Sequence, residues 1–230
     1  MREEPRRAAS PIGGLLRIVI YGLSCKITPF RVDEMFSRRD AAGLGLILHK
    51  SVVLVGMMGA GKTAVGLALS RRLGVAFLDS DAEIEAAANR TIAEIFQRDG
   101  EAFFRDRESE IIARLLEGPP GILSTGGGAY LAPMNRQMIS EKGAAIWLRA
   151  DLELLWNRVR HKDTRPLLRT KNPKATLEAI MIERTPFYEQ ADVVVDASAS
   201  YAIEDAAEAV EQALLLRPDV LSDVVAGSAP

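Results

Sequence analysis

Gly56-Met57-Met58-Gly59-Ala60-Gly61-Lys62-Thr63 follows the apolar run Ser51-Val52-Val53-Leu54-Val55 and opens into Ala64-Val65-Gly66-Leu67-Ala68-Leu69. The eight residues match G-x-x-x-x-G-K-[ST] and lie between a strand-like and a helix-like stretch, the context that a phosphate-binding loop needs. Glycine lets the backbone curl until successive N–H groups point inward at a phosphate, and the following helix turns its positive end to the same place. Gly59, Ala60, Gly61 and Ala64 are therefore expected to surround phosphate with backbone, Lys62 to reach the β- and γ-phosphates, and the Thr63 hydroxyl to ligate Mg²⁺. Kinases, GTPases, ATPases and motor domains share this loop, so it names the phosphoryl donor and leaves the acceptor open.

A chain of 230 residues has room for one α/β domain with a full core and not for two large ones. Lys plus Arg (29) nearly balance Asp plus Glu (31), which gives no global basic field to attract nucleic acid. The single cysteine, Cys25, forms no internal disulfide, and this fits a reducing, cytoplasmic setting. Residues 1–48 read as a flexible N-terminal extension: the apolar run 15–25 is interrupted by Arg17 and is too short to span a membrane, and Met35 is an alternative start. Residues 217–230, with Gly227 and Ser228 near the end, read as a frayed tail. The catalytic domain is expected over 49–216.

Within it, short apolar runs alternate with helical patterns, the mark of a parallel sheet with crossover helices. Strands are expected at 51–55, 76–78, 121–124, 145–148 and 192–195. Helices are expected at 62–73, 81–88, 91–97, 102–117, 133–142, 151–160, 174–188 and 202–216. Gly74, Gly118-Pro119-Pro120 and Gly143 mark helix ends. The polar, basic stretch 161–173 carries two prolines and reads as a mobile loop, which in a phosphotransferase would be a lid.

Three further groups fall at the carboxyl ends of expected strands or on the helices that follow, where open α/β folds place ligands. Asp79-Ser80-Asp81 offers one carboxylate for Mg²⁺ and one for an acceptor hydroxyl, unless Asp81 serves to cap the next helix. Thr125-Gly126-Gly127-Gly128 lets a ligand approach the backbone closely. Phe103-Phe104-Arg105-Asp106-Arg107-Glu108 places Arg105 and Glu108 on one helical face, so that Glu108 can orient the guanidinium toward a carboxylate ligand. Arg165-Pro166-Leu167-Leu168-Arg169 lies in the lid stretch, and Arg184-Thr185-Pro186 closes a later helix. A lid arginine over the γ-phosphate would stabilise transition-state charge and exclude water.

The phosphate loop, Asp79-Ser80-Asp81, Phe104-Arg105, Ser124-Thr125-Gly126-Gly127-Gly128, Arg165-Pro166-Leu167-Leu168 and Arg184-Thr185-Pro186, in this order across residues 50–200, resemble the shikimate kinase family. The resemblance implies a three-layer α/β/α P-loop fold with a five-stranded parallel sheet, a lid and a small substrate-binding region. It also implies transfer of the ATP γ-phosphoryl group to the 3-hydroxyl of shikimate, in a monomer that needs neither nucleic acid nor membrane. By the family's pattern Lys62 and Thr63 match the phosphate and Mg²⁺ residues, and Asp79 the carboxylate near the metal. Asp81 matches the residue that holds and polarises the shikimate hydroxyl, Arg105 and Arg184 the grip on its carboxylate, and Gly127 a backbone contact. Arg165 matches the lid arginine, and Arg158 falls where the family stacks an arginine on adenine. The long N-terminal segment departs from the compact family pattern. A gluconate kinase on the same fold would keep loop and lid without the combination of Asp79-Ser80-Asp81, Phe104-Arg105 and triple glycine. A regulatory GTPase would need N-K-x-D or T-K-x-D, and Thr170-Lys171-Asn172-Pro173 lacks the aspartate.

Overall fold

The computed structural model describes residues 18–20, 45–161 and 166–223. In chain order the elements are β1 (Ile18–Ile20), β2 (Leu46–Leu48), β3 (Ser51–Val55), α1 (Lys62–Leu73), β4 (Phe77–Asp79), α2 (Ser80–Ala88) and α3 (Ile92–Leu116). They continue with β5 (Ile122–Ser124), α4 (Pro133–Lys142), β6 (Gly143–Arg149), α5 (Leu152–Val159), α6 (Pro173–Tyr188), β7 (Val193–Asp196), α7 (Ile203–Leu215) and β8 (Leu221–Asp223).

The main sheet has the order β1-β7-β6-β3-β5-β4. β7, β6, β3, β5 and β4 run parallel, and β1 adds an antiparallel edge to β7. The five expected strands are all present, within a few residues of the expected bounds. β3 lies at the centre of this parallel array and is apolar after Ser51 because helices cover both faces of the sheet: Val52, Val53 and Leu54 are fully buried. Burying a side chain of that size stabilises by about 1.5–3 kcal/mol. The chain runs from β3 out to β4, returns to β5 between them, then crosses to β6 on the other side. Register sets Leu54 beside Ser124 and Asp79 beside Ser124, so the phosphate loop, the first aspartate and the triple glycine all leave the sheet at one edge.

α3 joins the two helices expected at 91–97 and 102–117, with non-helical backbone only at Gly100. Thr91 and Glu94 close its start as a reciprocal capping box. Ile84, Ile95, Phe104 and Ile111 form a second apolar cluster between α2 and α3. This gives α2 and the first part of α3 their own small core, with Arg105 following the buried Phe104.

Three boundaries differ from expectation. Three residues of the stretch 1–48, Ile18–Ile20, extend the sheet as β1, and Leu46–Leu48 pairs antiparallel with Leu221–Asp223 in a separate two-stranded sheet. The start of the supposed tail is therefore structured: Val220 and Leu221 are fully buried, and Asp219 pairs with both Arg217 and Lys50. Two apolar residues that reach the core outweigh the polar character that made the stretch look frayed. In the expected lid, Pro166–Leu168 forms a 3-10 turn with Leu168 packed into the core, and the Asn172 side chain caps α6 by accepting from the Ala175 N–H. Residues 162–165, and Arg165 with them, lie outside the described residues, as do 1–17, 21–44 and 224–230. Among the described residues no helix is long and apolar enough to cross a membrane.

Candidate active site

Gly56, Gly59 and Gly61 have φ of 130°, 82° and 104°, backbone that side chains with a Cβ rarely adopt. α1 begins at once after Gly61, and no side chain caps it, whereas Asp79, Thr91, Asp151 and Asn172 cap α2, α3, α5 and α6. An uncapped helix start inside a curled loop is a place for an anion. Lys62 is buried, and its ammonium donates to the Gly56 and Met57 carbonyls at 2.8 and 3.1 Å, which holds it over the loop. From α5, Arg158 donates to the Gly59 and Ala60 carbonyls at 3.2 and 3.1 Å. That contact gives these carbonyls a cationic partner at the loop.

The cleft has a volume of about 500 Å³. It runs from the phosphate loop past Asp79, Asp81 and Gly127, and on its other flank past Arg158 to Ser198 and Tyr201, in the turn between β7 and α7. Nothing in the sequence singled out that turn beyond its place after a strand. Arg149 fixes its base through a two-pronged pair with Asp196, Nε to Oδ1 at 2.5 Å and Nη2 to Oδ2 at 2.8 Å.

Asp79 does two things. One oxygen caps α2, accepting from the Asp81 and Ala82 N–H groups at 3.0 and 3.3 Å; the other accepts from the Thr63 hydroxyl at 3.3 Å. The capping role that the sequence left open for Asp81 thus falls to Asp79. Ser124 Oγ lies 3.4 Å from Thr63 Oγ1, a second hydroxyl that the sequence did not mark. Thr63, Asp79 and Ser124 form an all-oxygen set with one carboxylate, which fits Mg²⁺: that ion is commonly held by one or two carboxylates together with substrate phosphates.

The triple glycine is the floor on which the acceptor side is built. A Cβ on Gly126 would lie 2.8 Å from an Asp81 carboxylate oxygen and 3.0 Å from one of Glu108. On Gly127 it would lie 3.5 Å from Arg184 Nη1, and on Gly128 2.6 Å from Arg105 Nη2. Residues from α2, α3 and α6 therefore converge on three consecutive glycines, of which Gly126 makes room for two carboxylates and Gly128 for the Arg105 guanidinium. Glu108 is buried and accepts from Arg105 Nη1 at 2.7 Å, the pairing their spacing predicts. Arg105 also packs over the Phe104 ring, its guanidinium carbon 5.1 Å from the centroid. At the middle of the floor, Tyr188 donates its hydroxyl to the Gly127 carbonyl at 2.5 Å.

Burial pushes the Glu108 carboxyl up to about 7, opposed by Arg105 and reinforced by the charge of Asp81. Between its ordinary value of 4.5 and about 7, the folded chain holds a proton that the unfolded chain has released. This residue's contribution to stability is thus complete below pH 4.5 and falls as pH rises through 7, by on the order of 3 kcal/mol before relaxation. Denaturant titrations from pH 5 to 8 are expected to show a smaller loss of stability in Glu108→Gln than in the unmodified chain, whatever the absolute values. Parallel profiles would contradict this.

A phosphate loop that lines one cleft with Asp79, Asp81, Gly126 and Gly127, beside a glycine floor on which two carboxylates and two arginines converge, defines a P-loop phosphotransferase. The family model described as "Shikimate kinase" matches residues 58–214. A shikimate kinase of Ruegeria pomeroyi is 64% identical over 188 residues, 82% of this chain and 96% of its own length, and one of Cereibacter sphaeroides is 60% identical over 185 residues, 80% and 92%. The solved shikimate kinase of Acinetobacter baumannii in complex with shikimate superposes with a TM-score of 0.68 at 36% identity, covering 73% of this chain and 94% of that one. The chain belongs to the shikimate kinase family.

Proposed function

We propose that the protein transfers the γ-phosphoryl group of ATP to the 3-hydroxyl of shikimate, giving shikimate 3-phosphate and ADP in the route to aromatic amino acids. The observation that carries this reading is the convergence of Asp81, Arg105 and Arg184 on Gly126–Gly128, with Asp81, Gly126 and Gly127 lining the same cleft as the phosphate loop. A carboxylate with neighbouring hydroxyls needs cationic forks and an acceptor for O–H groups, and this set supplies both.

In this reading Arg105 and Arg184 hold the shikimate carboxylate, and the Gly127 backbone borders the ring. Asp81 accepts a hydrogen bond from the 3-hydroxyl and takes up its proton as the oxygen attacks phosphorus. Gly59, Ala60, Gly61 and Ala64 hold the phosphates with backbone N–H groups. Lys62 leaves its loop carbonyls for the γ-phosphate, where it neutralises developing charge. Thr63 and Asp79, with Ser124 beside them, would hold Mg²⁺, which when bound would neutralise negative charge on the phosphates. Arg158 borders the base as well as the loop, and Arg165 is the lid cation. A cytoplasmic monomer with a small-molecule substrate, and neither nucleic acid nor membrane as partner, completes the reading.

The test is shikimate-dependent ADP release in a coupled assay. Release stimulated by gluconate or another polyol and not by shikimate would refute the proposal. Arg105→Ala is expected to weaken shikimate binding by about 10- to 100-fold in calorimetry, the worth of a charge-assisted pair, and to leave ATP binding within a factor of three. Equal losses for both ligands would remove Arg105 from the acceptor site.

A further inference from the structure

We propose that Arg149 is a positioning residue for the nucleoside end of ATP, acting through Asp196 on the turn between β7 and α7; the assignment rests on the shikimate kinase reading above, with ATP as donor. The cleft extends from the phosphate loop in two directions. Toward Asp81 and Gly127 it reaches the acceptor floor, and past Arg158 it is lined by Asp196, Ser198, Tyr201 and Ala202. With the triphosphate on the loop and the acceptor on the glycines, the second direction is the one left for ribose and base. Arg149 ends β6 and Asp196 ends β7, and the two are paired in register. The Arg149 Nε and Nη2 donate to the two Asp196 carboxylate oxygens at 2.5 and 2.8 Å, and the Arg149 carbonyl accepts from the Ala197 N–H at 2.6 Å.

The turn is shaped by local bonds: Ser198 Oγ accepts from the Ser200 N–H at 3.3 Å, and Asp205 of α7 accepts from the Ala202 N–H at 2.8 Å. The pair with Arg149 instead ties the turn across the sheet to β6, the strand that leads into α5 and so to Arg158 on the same flank of the cleft. The guanidinium is itself held, packed over the Trp147 ring with its central carbon 5.6 Å from the centroid. Its planar fork meets both carboxylate oxygens at once, which the point charge of a lysine does not. A turn fixed before the nucleotide arrives loses less conformational freedom on binding, and the affinity of the nucleoside rises by that saving. Arg149 has a second effect in the same direction. Asp196 places a carboxylate on the wall of a cleft that receives a polyanion, and the guanidinium offsets its charge.

Arg149→Met keeps an apolar stem against Trp147 and removes the fork. It is expected to raise the KM for ATP by about 5-fold, with kcat at saturating ATP and the KM for shikimate each within a factor of two. In an Asp196→Asn background, where the carboxylate it holds and offsets is gone, the same change is expected to cost less than twofold more. An unchanged KM for ATP overturns the proposal. So does a fall in kcat or a rise in the KM for shikimate in proportion to that for ATP, which would mark Arg149 as structural alone, and so does a full 5-fold rise in the Asp196→Asn background. Should Arg149→Met fail to fold, Arg149→Lys keeps the charge without the fork and is expected to raise the KM for ATP by about two- to threefold, again with kcat and the KM for shikimate unmoved; an unmoved KM for ATP, or a parallel change in the other two, overturns the assignment. Absence of shikimate-dependent ADP release by the unmodified enzyme would overturn this and the functional reading together, whereas an active enzyme with an indifferent Arg149→Met overturns this one alone.

Discussion

Asp81→Asn is expected to lower turnover with shikimate by about 100- to 10,000-fold, the range for removal of a general base. Asparagine has nearly the same volume and can still meet the acceptor hydroxyl, but it cannot take its proton. The architecture makes the experiment selective, because the helix start that Asp81 might have been needed to cap is capped by Asp79. ATP affinity and thermal stability are thus expected to stay close to those of the unmodified enzyme. Asp79→Asn is the contrasting variant: asparagine still caps α2, so the helix start is kept, and what is lost is the carboxylate beside Thr63. Its loss of rate should be relieved in part by raised Mg²⁺, and that of Asp81→Asn should not. Steady-state assays with Mg²⁺ titration separate the two; Mg²⁺ rescue of Asp81→Asn would reverse the assignments.

Lys62→Met is the second change of large expected effect, a loss of about 100- to 1,000-fold in kcat, as found when one preorganised charge-stabilising donor is removed. Methionine replaces most of the buried apolar stem, so the packing at the start of α1 is largely kept. What disappears is the ammonium that now bridges the Gly56 and Met57 carbonyls at 2.8 and 3.1 Å. Those bonds hold the side chain arched over the loop. Binding of ATP should weaken less than the rate falls, because Lys62 matters most where charge develops. A variant with unchanged kcat and only a raised KM for ATP would limit Lys62 to ground-state binding.

The phosphate loop was legible in the sequence because it is local. Eight consecutive residues build the phosphate loop, and the strand before and the helix after them are set by their own hydrophobic periods. Arg105 and Glu108 were also legible as a pair, since one helical turn joins them. The two-helix reading of α3 anticipated the break at Gly100, where glycine adopts φ 84°. Other features carried too little local signal. Asp79 and Asp81 are near neighbours whose division of labour depends on the turn from β4 into α2, and either could have been the cap. The structured stretch Leu221–Asp223 pairs with Leu46–Leu48 across almost the whole chain, and no local composition announces such a partner.

What the sequence alone determined was the phosphate loop, the succession of strands and helices, and through the ordered motifs the family. These depend on backbone preference and periodicity over a few residues. Only the tertiary structure decided that Asp81 and Glu108 crowd Gly126, that Arg105 crowds Gly128, and that Arg184 lies beside Gly127 between them. Side chains from three helices meet there because β5 is inserted between β3 and β4, and the contacts follow from sheet order and burial, which no stretch of sequence encodes by itself.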